Sequence, residues 1–253
     1  EPMLLTLAFA VGFVALAFLA TALPAAWMRR QHGVQQPIET RELARDVAAR
    51  IGVLHGLILG LVFGQVMGQV NDLYSGMREE AAAAEHIYFR AGTYGAPQVQ
   101  QAAQAYLDAV VAHDWPRQER EAQLSDEGWL ALRKLSALTL ALQPRDRGHE
   151  KLADAMQNEV FRIEHLRQLR GFEAGTHVPF GFWFAAIVGL VLIGAVFFVH
   201  EPSRKHLWIA SAYSTYAGIV LFMIHDLSQP FHGLIVLQPD AFRQALAAIH
   251  SGI

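Results

Sequence analysis

The chain has no cysteine, which removes disulfides, thiolate metal sites and cysteine nucleophiles together and leaves its redox compartment without a signature. No HExxH, GxSxG, phosphate-binding loop or dinucleotide fingerprint occurs either, so an enzyme is the least expected class. There is no long basic run, and the formal net charge is −3, which argues against nucleic acid as a partner. No stretch alternates apolar and polar residues as a half-buried strand does. The expected fold class is therefore all-α.

What the sequence does have is apolar length. Hydrophobic residues make up 53% of the chain and charged residues 17%. That is too apolar for an ordinary soluble domain and too charged for a bundle wholly enclosed in lipid. A membrane part and a water-exposed part must coexist, with the lipid bilayer as the first partner.

The most ordered pattern lies in IGVLHGLILGLVFGQVMGQVND, Ile51 to Asp72, where Gly52, Gly56, Gly60, Gly64 and Gly68 recur without a break. As a helix this stretch is about 30 Å long, the thickness of a bilayer core. Each step of four residues advances a helix by about 40°, so the five glycines trace a shallow groove without side chains over roughly half the circumference. Glycine costs a helix about 1 kcal/mol relative to alanine, and close helix packing in lipid is the known compensation. The ridge reads as a helix-packing surface, a glycine zipper. With Gly60 at zero, His55, Ile58, Val62, Gln65, Gln69 and Asp72 fall at about 120–220°, opposite the ridge. In a ring of identical helices, Ile51, Ile58 and Val62 would form an apolar constriction, with Gln65, Gln69 and Asp72 as a polar vestibule. Hydrogen bonding between helices is the other reading of the same stripe.

Along the chain, Met3 to Trp27 is an apolar run ending in Trp27, Arg29 and Arg30 as an interfacial anchor. Thr40 can cap a short amphipathic helix leading into the glycine span. The pattern stays helical after Asp72 until Gly92 to Gly95, so this helix is expected to project into water. Pro97 starts a helix that Pro116 is expected to stop. Ser125 caps another, carrying Trp129, Leu132, Leu135, Leu138 and Leu142. A further amphipathic helix runs from about His149 to Phe172, with Leu152, Met156, Val160, Ile163 and Leu166 on its apolar side. Phe180 to Val199 and Leu207 to Ile224 are the third and fourth apolar runs, joined by a polar turn at His200 to His206. In the fourth run, Ala210, Ser211, Ser214 and Gly218 suit close helix contact. A final amphipathic helix starts at Pro239-Asp240, with Phe242, Leu246 and Ile249 on one face, to lie on the membrane or against the other helices.

These elements divide the chain into 1–72 (transmembrane helices 1 and 2 with a connecting amphipathic helix), 73–178 (an extramembrane helical region able to bind a protein partner), 179–227 (transmembrane helices 3 and 4) and 228–253 (a C-terminal interfacial segment and helix). Arginine and lysine in the two short loops place those loops in the cytoplasm and residues 73–178 outside. Glu79, Glu80, Glu85 and His86, and separately His225, Asp226 and His232, carry metal-ligating groups. Acidic residues on an exposed helix are usually solvated or paired, and the proline between Asp226 and His232 interrupts the second set. Neither metal nor cofactor is expected.

Several short pieces together resemble the bestrophin-like domain family of bacterial membrane proteins. They are Glu80-Ala81 after the second span, Tyr106 with His113-Asp114-Trp115-Pro116, Arg167 and Arg170 before Pro179 and Trp183, and Asp226 before Pro230-Phe231 and Gly233. The resemblance runs from about residue 50 to 245. It implies four transmembrane helices with a helical insertion between the second and third, in a multi-pass protein of the bacterial inner membrane. True bestrophins are pentameric, largely anion-conducting channels lined by their second transmembrane helix, so the resemblance favours a homo-oligomeric ion channel with the stripe on the pore. The chain departs from them in having Ile58 and Val62 rather than aromatic residues at the constriction, and no acidic run near the C-terminus like their calcium clasp. The resemblance also puts residues 73–178 in the cytoplasm, the reverse of the arginine pattern. The alternative function is a non-conducting membrane scaffold or accessory subunit. If the protein conducts, a ring of Asp72 favours cations.

Overall fold

The structure, a computed structural model, describes residues 2–33, 35–174, 178–199 and 203–252. Among the described residues all regular structure is helical and no strand occurs. The α-helices are α1 (Pro2–His32), α2 (Ile38–Tyr94), α3 (Pro97–Ala109), α4 (Trp115–Glu121), α5 (Asp126–Leu140), α6 (Arg147–Ala174), α7 (Phe180–Val196), α8 (Arg204–Leu227) and α9 (Asp240–Ser251). Among the described residues four segments are long and apolar enough to cross a membrane: Thr6–His32, Ile38–Tyr94, Phe180–Val199 and Arg204–Leu227.

Helix α2 runs 57 residues without interruption. It contains no proline, and alanines at 81–84 follow the glycine span, so nothing breaks the hydrogen-bond ladder. The amphipathic helix expected to lead into the glycine span is its first part, and Thr40, expected to cap it, lies inside the helix, which starts at Ile38. The end is a Schellman turn: Gly95 sits at φ +80, Ala96 N–H donates to the Ala91 carbonyl at 2.8 Å, and Gly95 N–H to that of Gly92 at 3.1 Å. Ser125 caps α5, its hydroxyl accepting from Gly128 N–H at 3.0 Å. Of the polar turn expected at His200 to His206, His200, Glu201 and Pro202 lie outside the described residues; Ser203 caps α8.

Pro116 does not stop the helix it sits in. Residues Val110–Asp114 widen into a π turn, Trp115 N–H donates to the Val110 carbonyl five residues back, and the chain continues as α4. Pro116 has no N–H, and its ring would clash with the Ala112 carbonyl in a regular helix, so the wider turn accommodates it.

The chain forms two compact units. The first holds α1, α2 up to Gly68, α7, α8 and Gly233–Ile235. In it α1 packs against both α7 and α8, and small residues set the approach. A Cβ on Gly194 would collide with the Thr21 backbone, and one on Gly218 would lie 2.6 Å from Val14 Cα. Thr21 and Ser214 hydroxyls bond at 2.7 Å in the same seam. The second unit holds α2 from Gln69, α3 to α6, Pro230–His232 and the chain from Val236. Its apolar core includes Leu73, Met77 and Ile87 of α2, Tyr106 and Leu107 of α3, Leu135 of α5, and Met156 and Ile163 of α6. Helix α9 packs on α3 and buries Phe242, Ala245 and Ile249.

Candidate functional site

Helix α2 divides into a face that the rest of the chain covers and a face that it leaves bare. His55, Leu59, Val66 and Leu73 are buried, at about 220–260° on the wheel that has Gly60 at zero. Nothing lies within 4 Å of a Cβ built on Gly52, Gly56, Gly60, Gly64 or Gly68. Gly56, Ile58, Gly60, Gly64, Gln65 and Asp72 are exposed, while Ile51, Gly52, Val62, Gly68 and Gln69 are partly covered. The wheel therefore has three sectors, ridge, stripe and a buried seam beside the stripe, where the sequence pattern suggested two.

His55 belongs to the seam. Its Nε2 bonds the Ala186 carbonyl of α7 at 2.9 Å and its Nδ1 the Tyr213 hydroxyl of α8 at 2.7 Å. A carbonyl only accepts, so Nε2 carries the proton and, in the neutral ring, Nδ1 accepts from Tyr213. Gly189 makes room: its missing side chain would collide with the imidazole. Both ring nitrogens are thus used within the chain.

In the second unit a cluster of charged and polar side chains is fully enclosed. Arg170 donates from Nε to Glu80 Oε2 at 3.0 Å, from Nη2 to Glu80 Oε1 at 2.9 Å and to Asp114 Oδ2 at 3.1 Å, and from Nη1 to Gln118 Oε1 at 2.5 Å. Arg167 forms a two-pronged pair with Asp114, Nη2 reaching Oδ1 at 2.9 Å and Nη1 reaching Oδ2. Tyr106 donates to Glu80 Oε1 at 2.5 Å, and the Ser125 hydroxyl and N–H to Asp114 Oδ1 at 2.7 and 3.0 Å. Two carboxylates and two guanidinia balance, so the cluster is neutral overall, the condition for burying four charges. Arg167 also lies 4.8 Å from the Trp129 ring centroid, and Arg170 5.5 Å from that of Phe242.

The π turn aims Asp114 into this cluster. Eight residues of regular helix would rotate it about 80° from Tyr106, whereas about 80° per residue over the π segment brings the two onto one face. Burial pushes the Asp114 carboxyl up. The hydrogen bond from Arg167, then the charges of Arg170 and Arg167, outweigh that and hold it below its ordinary range. Burial first, then the neighbouring Glu80 charge, push Tyr106 well above the usual tyrosine range, so its hydroxyl stays protonated and donates. Gly128 is required by the crowding: a Cβ there would lie 2.5 Å from Asp114 Oδ1.

The metal-ligating types are drawn apart. Glu80 is in the cluster, Glu79 pairs with Arg162 at 2.7 Å, and His86 reaches Glu159 at 3.3 Å. Asp226 accepts from the N–H groups of Leu234, at 3.0 Å to Oδ1, and Ile235, at 3.4 Å to Oδ2. Gly233, at φ +106, lets that backbone reach the carboxylate. Among the described residues no group of three metal-ligating side chains converges.

A bestrophin-like domain model matches residues 11–242. The chain belongs to the bestrophin-like domain family. No curated protein matches its sequence. Its fold is similar to that of a bacterial bestrophin homologue from Klebsiella pneumoniae. One variant of that protein with a single substitution has a TM-score of 0.66 at 14% identity over 97% of both chains. The same homologue solved by zinc phasing gives 0.62 at 13% identity over 96% of both chains. The crystal structure of a membrane protein variant with a single substitution gives 0.63 at 12% identity over 96% of this chain and 97% of the other. At such identities the likeness is one of fold.

Several of the residues through which this chain resembles bestrophin-like domains are brought together by the structure. Glu80, Tyr106, Asp114, Arg167 and Arg170 form one cluster, with Trp115 stacked edge-on against Phe231 at 5.4 Å; Asp226 and Gly233 form the other contact. The sequence pattern placed Glu80 among possible cation ligands and Leu166 on the apolar face of α6. Instead Leu166 is only partly covered, and the buried stripe Met156, Val160, Ile163 continues through Arg167 and Arg170. The spacing of four and three was the available signal: charged residues in register with an apolar stripe must be buried with it.

Proposed function

We propose that this bestrophin-like protein is a homo-oligomeric ion channel of the bacterial inner membrane, its pore lined by α2. Ile51, Ile58 and Val62 form the constriction in this reading, and Gln65, Gln69 and Asp72 the vestibule. His55 anchors the helix from behind. Residues 73–178 form a helical insertion outside the bilayer between the second and third spans, and the glycine ridge meets a neighbouring subunit.

The observation that carries this reading is the bare face of α2. Gln65 and Asp72 are exposed and make no side-chain hydrogen bond or ion pair among the described residues, on a helix apolar enough to span. A polar group at membrane depth needs a partner or water. A ring of subunits provides both, with neighbours along the ridge and a watery axis along the stripe. Family membership adds to this, because a homologue of similar fold is a bestrophin homologue.

The test is ion flux in liposomes containing only the purified protein. Flux above that of empty liposomes, abolished by Ile58→Trp at the constriction, is expected. An intact oligomer that passes neither cations nor anions supports the scaffold reading instead.

A further inference from the structure

At one end of the first unit, α1 and α8 leave an open cleft of ≈ 280 Å³. Its walls are apolar: Phe18, Ala22 and Ala25 from α1, and Leu207, Ile209 and Ala210 from α8. Thr21 lies at its floor, and Arg29 and His206 complete the lining. Among the described residues that line it, none is acidic. Arg29 is half-buried and leans on the Phe197 carbonyl at 3.4 Å, and the exposed Arg30, Arg204 and Lys205 crowd the same two helix ends. Trp27 and Trp208, both exposed, stand where aromatic side chains mark a membrane interface.

We infer that this cleft binds an anionic phospholipid of the surrounding leaflet, one acyl chain lying between α1 and α8 and the phosphate held by Arg29. The sizes agree. The cleft's ≈ 280 Å³ is the room of about nine water molecules at about 30 Å³ each, enough for a length of acyl chain and not for a whole lipid. The chemistry agrees as well. An apolar slot opening beside a guanidinium, in a ring of further cations, complements a lipid that carries its negative charge at the top of its chains. A zwitterionic lipid fits the slot but not the charge. A small anion fits the charge but not the slot. The short side chains of Ala22, Ala25 and Ala210 keep the slot open, since a larger residue at any of them would fill it.

Retention of lipid by the detergent-purified protein, read by native mass spectrometry, tests this. Phosphatidylglycerol and phosphatidylcholine are offered at equal concentration to the parent, to Arg29→Gln and to Ala210→Leu, each checked for unchanged elution volume. The parent is expected to hold phosphatidylglycerol in preference to phosphatidylcholine. Arg29→Gln should lower that retention about fivefold, the factor for one lost cation near a lipid surface, and Ala210→Leu should abolish it. Lys205→Gln, on the exposed rim, replaces Arg29→Gln if the latter fails to fold. Equal retention of both lipids overturns the charge argument. Retention unchanged in Ala210→Leu places the lipid elsewhere. Binding of a free fatty acid with no phospholipid retained overturns the choice of ligand.

Discussion

Arg170 and Glu80, ninety positions apart, meet through two nearly parallel hydrogen bonds of 3.0 and 2.9 Å with no access to solvent. The pair ties α6 to α2 and, through Tyr106, Asp114 and Gln118, to α3 and α4. Removing one partner of such a pair strands the other charge in a medium that cannot solvate it. Glu80→Gln or Arg170→Met should therefore destabilise the second unit by about 3–5 kcal/mol. Thermal unfolding of the detergent-purified protein measures this; a loss below 1 kcal/mol would show that water reaches the cluster.

The Asp114 carboxyl titrates below its ordinary 3.8 in the folded protein. A group whose folded pKa is depressed contributes stability above its unfolded pKa and loses it as pH falls through the folded value. The second unit should keep this contribution at neutral pH and lose it below about pH 4. Asp114→Asn should be less stable at pH 7 and should show a shallower decline between pH 5 and 3. Parallel declines in parent and variant would remove Asp114 from the acid response.

Two sets of glycines should behave in opposite ways. Gly194 and Gly218 face the backbone of α1, so Gly194→Ala or Gly218→Ala should cost about 1–3 kcal/mol by overpacking. Gly60 meets nothing in the subunit, so Gly60→Leu should leave the protomer folded and reduce its oligomer size in detergent. Thermal unfolding reads the first, and light scattering behind size exclusion the second. A folded Gly60→Leu protein of unchanged size would place the ridge against lipid.

If the protein conducts, Asp72 at the end of the stripe should set the field there. The parent should favour cations, and Asp72→Asn should move the reversal potential in a salt gradient toward zero. A chloride-selective parent unaffected by the substitution would show that other groups determine selectivity.

The sequence by itself determined the parts governed by local rules. Apolar runs long enough for a bilayer, the proline at the start of α3, Ser125 at the start of α5 and the absence of strand alternation depend on neighbours within one or two turns. The family, too, was legible, because its residues recur as short motifs. What the tertiary structure decided are the contacts between positions far apart. His55 looked like part of a polar stripe and faces Tyr213 and Ala186, partners 158 and 131 residues away. Glu80 read as a solvated or paired charge, and Asp114, Arg167 and Arg170 stood only as motif residues of the family resemblance, with nothing to join them. They neutralise one another in the core only because a π turn at Pro116 aims Asp114 inward and Gly128 leaves it room. Charge burial is favourable only with its partner in place, and periodicity along one helix carries no record of what lies opposite on another.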